Sequence, residues 1–472
     1  MATNKTYEKI AVGDTAELIR ECSSNDLLIF AHASGSQNPI HLPDTDWTGD
    51  GQVDKPVAPA MWMSGLASAV LGNLLPGPGT VYKAQSLRFL GGAAVGDKLH
   101  VKVTATEKKP GNIVVFDVSV TREDGTRLME GVAEVAAPTQ TIEFDPRELP
   151  ALLVQRYRHF NRIIQLAKTL PALPTAVVAP DDPNSLEGAM MAAREGLIRP
   201  VLIGARNRIE AAAEGLGEDI ASFELIDIAD ETEAAGQAVA MVHEGRVQAI
   251  MKGHLHTDHL LHHVVKRDGG LRTGRRRISH VFVMDIPGRK TPVLISDAAI
   301  NITPDLNAKV DITQNAIDLA LSLGLEMPRV GILSAIETVN PAIPSSLDAA
   351  VLSKMAERGQ ITGGIVDGPL AMDNAIDLQA ARTKGITSLV AGRAEVLIVP
   401  NLETGNMLAK ELTFIAHAES AGLVIGAKVP IMLTSRADDG RARLASCALA
   451  LLYTHWRAKG GAPAGILDRA ES

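Results

Sequence analysis

Apolar and polar side chains take turns between residues 81 and 138. Leu99, Val101, Val103 and Ala105 alternate with His100, Lys102, Thr104 and Thr106, and Val114, Phe116, Val118 and Val120 alternate with Val115, Asp117, Ser119 and Thr121. A period of two puts each set on one face of a strand, so the spacing predicts half-buried antiparallel strands. Glu123-Asp124-Gly125 supplies turn chemistry before residues 128–136, the next strand of a meander. Upstream, residues 60–75 are apolar and rich in small side chains until Pro76-Gly77-Pro78-Gly79, which predicts one buried helix with a sharp stop. The strand pattern breaks over 138–150, and residues 152–170 read as a helix. Beyond it the rhythm changes to short apolar runs at 175–179, 200–204, 223–228, 248–251, 281–284, 292–296, 330–334 and 395–400. Most are separated by helical segments such as 185–197, 231–244 and 346–359. Strands alternating with helices imply a mainly parallel sheet covered on both faces. The expectation is therefore an α+β domain at 1–150 followed by an α/β domain at 151–472.

With 472 residues, 46 % apolar and 21 % charged, the chain is globular and too long for a single core. A net charge of −9 and 3 % aromatic residues leave neither the basic footprint nor the stacking surface that nucleic acid requires. Cys22 and Cys447 fall in separate domains and make no disulfide framework, which points to a reducing compartment, the cytoplasm by default. The start lacks an apolar leader, and no stretch approaches the roughly 18 apolar residues of a membrane span, so a soluble protein with no membrane partner is expected.

Four phrases in the second domain carry chemistry. They are Met251-Lys252-Gly253; Asp367-Gly368-Pro369-Leu370 with Asp373; residues 399–406, which include Asn401, Thr404, Gly405 and Asn406; and Leu433-Thr434-Ser435-Arg436. In this order and spacing the set resembles the phosphate acetyl/butyryltransferase family, and residues 270–277 lean toward the butyryl branch. The resemblance implies a phosphotransacetylase-like fold of two subdomains. It also implies reversible transfer of an acyl group between acyl-CoA and inorganic phosphate, giving acyl phosphate and CoA, with CoA and phosphate as substrates and no cofactor.

Phosphate attacking a thioester needs groups that hold anions and that stabilise charge on the carbonyl oxygen. Arg436 offers a planar fork for phosphate oxygens and Ser435 a hydroxyl, at the positions of the family's catalytic Ser-Arg pair. Thr404-Gly405-Asn406 reads as a loop before a helix starting near Met407, whose N-terminus favours a phosphate. A base must take the CoA thiol proton in the reverse direction. The family's aspartate spacing after the Ser-Arg pair is not matched by Asp438 or Asp439, and Asp439 is the candidate. Asp367 and Asp373 match family positions or cap helices, and Lys252 is either a phosphate ligand or a solvated charge. His254, His256, His259, His262 and His263 allow a metal reading, with 259 and 263 at i, i+4. A transfer that needs no Lewis acid, and the absence of a nearby cysteine, argue against it, so no metal is expected. Arg275, Arg276 and Arg277 either bind CoA phosphates or form a solvated surface, and Cys447 reads as a buried structural thiol.

A buried helix beside a long curved antiparallel sheet is the hot-dog arrangement. Residues 20–138 resemble MaoC-like hot-dog (R)-specific enoyl-CoA hydratases through Phe30-Ala31, Ser34-Gly35, Asn38-Pro39-Ile40-His41, residues 74–82, Ser86-Leu87-Arg88-Phe89 and Val95-Gly96-Asp97. The resemblance makes His41 one half of an acid-base pair whose aspartate position is Ser36, which is no carboxylate. Pro59-Ala60 stands where the family has His-Gly, and Asp44 and Asp46 are the nearest substitutes. Hydration should accordingly be severely slowed, and binding or dimerising is the expected role of this domain, since hot-dog sheets commonly pair across a two-fold axis. Expected partners are acyl-CoA, inorganic phosphate, acyl phosphate and at least one further copy of the chain. The rival readings are a bifunctional transferase-hydratase and a non-catalytic acyl-CoA-binding protein.

Overall fold

The computed structural model describes residues 2–50, 53–144, 158–274, 276–289, 291–433 and 440–462. Two compact units divide the chain, Met1–Val154 and Gln155–Ser472. The expected boundary at residue 150 lies outside the described residues.

In the first unit, β1 (Ala2–Thr3) pairs with β7 (Glu143–Phe144), and five longer strands form one antiparallel sheet. These are β2 (Thr15–Glu21), β3 (Val81–Phe89), β4 (Lys98–Lys109), β5 (Ile113–Arg122) and β6 (Arg127–Ala136), in the order β2-β4-β5-β6-β3. The predicted inward set is buried throughout: Leu99, Val101, Val103 and Ala105 on β4, and Val114, Phe116, Val118 and Val120 on β5. They share one core with Met63, Ala67, Val70 and Leu71 of α2 (Ala60–Asn73), the helix that follows α1 (Ser24–Ser34). Each buried Val, Leu, Phe or Met of this set contributes about 1.5–3 kcal/mol by leaving water, which is what holds a helix whose N-cap, Pro59, makes no side-chain cap bond. The edge strand β2 escaped sequence reading because none of its residues is fully buried and Ile19 faces out, 60 % exposed.

One eleven-stranded sheet organises the second unit. Its first part comprises α3 (Arg158–Ala167), β8 (Leu173–Val178), α4 (Pro183–Arg194), β9 (Ile198–Gly204), α5 (Arg206–Leu216), β10 (Glu224–Asp227), α6 (Glu231–His243), β11 (Ala249–Lys252) and α7 (Thr257–Val265). There follow β12 (Ser279–Asp285), β13 (Val293–Ser296), α8 (Leu306–Ser322), β14 (Arg329–Leu333), α9 (Pro344–Glu357) and β15 (Ile365–Leu370). The remainder is α10 (Met372–Ile376), α11 (Leu378–Thr383), β16 (Val396–Ile398), α12 (Leu402–Phe414), β17 (Glu419–Ile425), β18 (Ile431–Met432) and α13 (Gly440–Lys459). The strand order is β10-β9-β8-β11-β18-β17-β12-β13-β16-β14-β15.

The strands from β10 to β18 in that order run parallel, as do those from β13 to β15, while β18/β17, β17/β12 and β12/β13 are antiparallel. Three reversals leave the two parallel halves pointing in opposite directions. Central strands such as β11 and β13 are buried at every position, as helices on both faces require. Helix α13 is buried from Arg443 to Tyr453, as expected of a helix apolar on all sides. Sequence reading passed over β15, β17 and β18: β15 carries Asp367-Gly368-Pro369 and β18 has two residues. Proline is tolerated in β15 because it is an edge strand. No helix among the described residues is long and apolar enough to cross a membrane.

Candidate active site

Building outward from β8, the chain adds β9 and β10 on one side and then crosses to place β11 on the other. That reversal creates a switch point at the carboxyl ends of β8 and β11, where ligands bind in sheets of this kind. Lys252 ends β11 there, 5 % exposed, its Nζ donating to the Gly253 and Leu255 carbonyls at 3.1 Å each. It is therefore a buried, carbonyl-held cation rather than a solvated charge. Gly253 donates to Val178 O at 2.8 Å and His254 to Ala179 O at 2.7 Å, which draws the two loops together. A Cβ on Gly253 would press on the Val178 and Ala179 carbonyls, so only glycine fits.

On the facing loop, Asp181 is sealed from solvent, its side chain 1 % exposed. Its Oδ1 lies 3.2 Å from His254 Nδ1 and its Oδ2 3.0 Å from Arg208 Nη1. The His254 side chain is 44 % exposed. Asp182 beside it caps α4, accepting from the Asn184 and Ser185 amides. Asp181, Asp182 and His254 bring ligand atoms within 4.8 Å of one another. Of the five histidines that the sequence suggested, only His254 is in this group. His259 approaches Glu231 at 3.8 Å and His263 bonds to Lys266 at 3.2 Å. Burial, reinforced by Lys266 and His262, holds the His263 pKa below its usual value.

Next to β11 lies β18, with Met251 paired to Met432. Leu433 follows, and Ser435, Arg436, Asp438 and Asp439 lie outside the described residues, as does Arg275. The chain resumes at Gly440, the first residue of α13.

The other predicted residues occupy strand ends of the oppositely directed half. Asp367 stands within β15, its Oδ1 accepting from the Gly368 amide at 2.8 Å and its Oδ2 from Ser388 Oγ. Neither Asp367 nor Asp373 is a helix N-cap. Asp373 pairs with Lys384 at 3.2 Å, and the Asn374 amide together with that ammonium holds its carboxyl below the usual carboxylate range. Thr404-Gly405-Asn406 is not a loop: α12 already begins at Leu402, capped by Asn401, whose Oδ1 accepts from the Thr404 amide at 2.9 Å. Gly405 is buried, and a Cβ there would lie 2.6 Å from Asp297 O. That glycine lets α12 pack closely on the chain that follows β13. Asn406 donates to Ala298 O at 3.3 Å.

Arg276 pairs with Asp318 at 2.7 Å, whereas Arg277 is half-exposed and only approaches Asp305 at 4.0 Å, as the solvated reading expects. Cys447 is buried, its thiol pushed up to about 12 by desolvation.

In the first unit His41 Nδ1 lies 2.7 Å from Val57 O. A carbonyl only accepts, so the proton is on Nδ1 and Nε2 keeps its lone pair. Among the described residues no carboxylate bonds to or pairs with His41. Asp46 accepts from the Gly49 amide at 2.6 Å, and Ser36 is half-buried.

Asp181 and Arg208 escaped sequence reasoning. The available signal was Asp181-Asp182-Pro183, a helix start directly after an apolar run, but which aspartate caps and which turns to the histidine is a tertiary matter.

Comparison with known proteins gives two family matches: Phosphate acetyl/butaryl transferase over residues 229–451, and MaoC like domain over residues 10–125. A phosphate acetyltransferase of Rhizobium meliloti is 57 % identical over 294 residues, covering 62 % of this chain and 93 % of that protein. A phosphate butyryltransferase of Clostridium acetobutylicum is 39 % identical over 295 residues, 62 % of this chain and 98 % of its own length. The crystal structure of a branched-chain phosphotransacylase from Enterococcus faecalis V583 matches at 30 % identity and a TM-score of 0.53, covering 60 % of this chain and 99 % of that one. With identity of this level sustained over nearly the whole length of such relatives, the chain belongs to the phosphate acetyl/butyryl transferase family and carries a MaoC-like hot-dog domain ahead of it.

Proposed function

We propose that the second unit transfers acyl groups reversibly between CoA and inorganic phosphate. The observation that carries this reading is the 57 % identity to a phosphate acetyltransferase over 93 % of that protein. Arg436 holds phosphate through paired N–H groups, and Ser435 assists at the thioester carbonyl. Lys252, buried at the switch point, adds fixed positive charge facing the incoming dianion, with Gly253 keeping the loop tight enough to present it. Asp367, Gly368, Pro369 and Asp373, with Thr404, Gly405 and Asn406, shape the substrate-binding surface of the oppositely directed half. Asp439 is the sequence candidate for the thiol base, at a spacing after Ser435-Arg436 that departs from the family's. Phosphate attacks directly in a ternary complex, without an acyl-enzyme, and CoA and phosphate enter as substrates. A cytoplasmic oligomer, dimeric or larger, is the proposed working form.

The test is free thiol released from acetyl-CoA and butyryl-CoA, with and without inorganic phosphate. Phosphate-dependent release supports the reading and ranks the acyl groups; release of none with either substrate, at protein concentrations up to micromolar, rejects it.

For the first unit, His41 with an available Nε2 favours a residual hydratase over an inert scaffold in one respect only, since no carboxylate among the described residues pairs with it. We assign it to acyl-CoA binding and assembly. Sustained, phosphate-independent loss of the crotonyl-CoA enoyl absorbance would overturn that assignment.

A further inference from the structure

Resting on the transferase reading, we propose that His254, oriented by Asp181, exchanges the proton of the CoA sulfur. The reaction needs such a group, because a thiol must lose its proton to attack acyl phosphate and the leaving thiolate must regain one in the opposite direction. The spacing of Asp438 and Asp439 leaves that role unassigned.

The dyad has the parts required. A carboxylate can only accept, so the 3.2 Å contact between Asp181 Oδ1 and His254 Nδ1 fixes the proton on Nδ1 and turns the Nε2 lone pair outward as a base. The Asp181 side chain is sealed from water whereas the imidazole is 44 % exposed, so the orienting group is protected and the working group accessible. Arg208 keeps the buried carboxylate paired from behind at 3.0 Å. The acidic groups beside the ring are Asp181 and Asp182 from the β8–α4 loop; Arg208 from α5 reaches Asp181, and Lys252 at the end of β11 is held by the Gly253 and Leu255 carbonyls. Location agrees as well: His254 lies just beyond Lys252, the last residue of β11, at the switch point, and β11 pairs with β18.

A cation on the Asp181, Asp182 and His254 group is the competing use of these atoms. It would sit against the Arg208 guanidinium that pairs with Asp181, and it would need the Asp182 carboxylate that already caps α4.

In the thiol-consuming direction Nε2 takes the thiol proton and sulfur bonds to the acyl carbon. The carbon–oxygen bond to phosphate breaks with its electron pair leaving on phosphate. The proton then passes to that phosphate, so acyl phosphate and thiol give thioester and hydrogen phosphate. His254 is the group that meets the reacting atom, and Asp181 is a positioning residue.

The experiment compares the full-length wild type, His254→Gln and Asp181→Asn with acetyl phosphate and CoA from pH 6.5 to 9.5, following thioester absorbance. His254→Gln should lower kcat at pH 7 by about 100-fold or more with KM for CoA within about threefold. Its deficit should shrink at least about tenfold by pH 9.5, where a thiol of ordinary pKa near 8.5 ionises unaided. Asp181→Asn should lower kcat by about tenfold. Folding is controlled by His254→Gln, whose exposed side chain carries little packing. A deficit equal at both pH values, a rise in KM in place of a fall in kcat, or variants with wild-type kcat overturns the proposal. So does wild-type activity that a chelator removes and a divalent ion restores only when Asp181 and His254 are present. Imidazole nitrogen NMR reads the geometry without turnover: an Nδ1–H tautomer at His254 supports the dyad and an Nε2–H tautomer overturns it. A wild type without any phosphate-dependent thiol chemistry refutes the transferase reading itself; an active wild type with unaffected variants refutes the dyad alone.

Discussion

Each unit presents a histidine whose Nδ1 is tied down, and the two ties differ. His41 leans on the Val57 carbonyl at 2.7 Å, whereas His254 leans on the buried Asp181 carboxylate at 3.2 Å. Both contacts select the same tautomer and leave Nε2 available. Only the carboxylate also stabilises the imidazolium that forms when Nε2 accepts a proton, because it brings a full negative charge where the carbonyl brings a dipole. A histidine that is merely oriented and one that is oriented and charge-compensated thus occur in one chain. The difference lies between these two histidines rather than between the units as wholes, since His100 of the first unit also meets a carboxylate, Glu17, at 2.8 Å.

The sharpest way to break the comparison is at the phosphate end of the second unit. Arg436→Gln should reduce phosphate-dependent thiol release by about 100- to 1,000-fold, the usual loss for one donor to a developing oxyanion. Retained activity in a thiol-release assay would remove the phosphate-holding role from Arg436. Next in size, Ser36→Asp puts a carboxylate at the position where the hydratase resemblance expects one and should raise crotonyl-CoA hydration by roughly 100-fold. No gain in the enoyl-absorbance assay would mean that the missing acid is not what separates the units.

Gly253→Ala drives a methyl onto the Val178 and Ala179 carbonyls and should cost about 2 kcal/mol in chemical denaturation, along with the placement of His254. Smallest is a pH effect from a third histidine. His280 is fully buried, and desolvation lowers its pKa to about 4. The unfolded chain then binds the proton that the folded chain refuses, so the contribution of His280 is intact above pH 6.5 and is lost as pH falls toward 4. Between pH 7 and pH 5 this amounts to about 2 kcal/mol. His280→Phe should flatten that part of the denaturation profile, and an unchanged slope would assign the acid sensitivity elsewhere.

The first unit was more legible than the second for a physical reason. A sheet with one buried face alternates, so Leu99, Val101, Val103, Val114, Phe116, Val118 and Val120 announced their direction and all proved buried. In the second unit strands buried on both faces lose that alternation, and β17 and β18 disappeared into a generally apolar background. Thr404 and Gly405 illustrate the same limit at the level of the site. Glycine and threonine suggested a loop, but the Asn401 cap starts α12 earlier and Gly405 is there for packing against Asp297.

What the sequence determined by itself was whatever depends on neighbours along the chain. That covers the strand period and central helix of the first unit, the strand-helix rhythm of the second, and the ordered phrases around Lys252, Asp367, Asn401 and Ser435 that mark the family. Only the tertiary structure decided the three strand reversals that point the halves of the second sheet in opposite directions, the carbonyl cage around Lys252, and the meeting of Asp181, Arg208 and His254. Those three residues lie far apart in sequence, and their contact exists only because β8, β9 and β11 run parallel and end together at a switch point. Burial then gives the Asp181 carboxylate its hold on the histidine, and burial is a property of the packed chain.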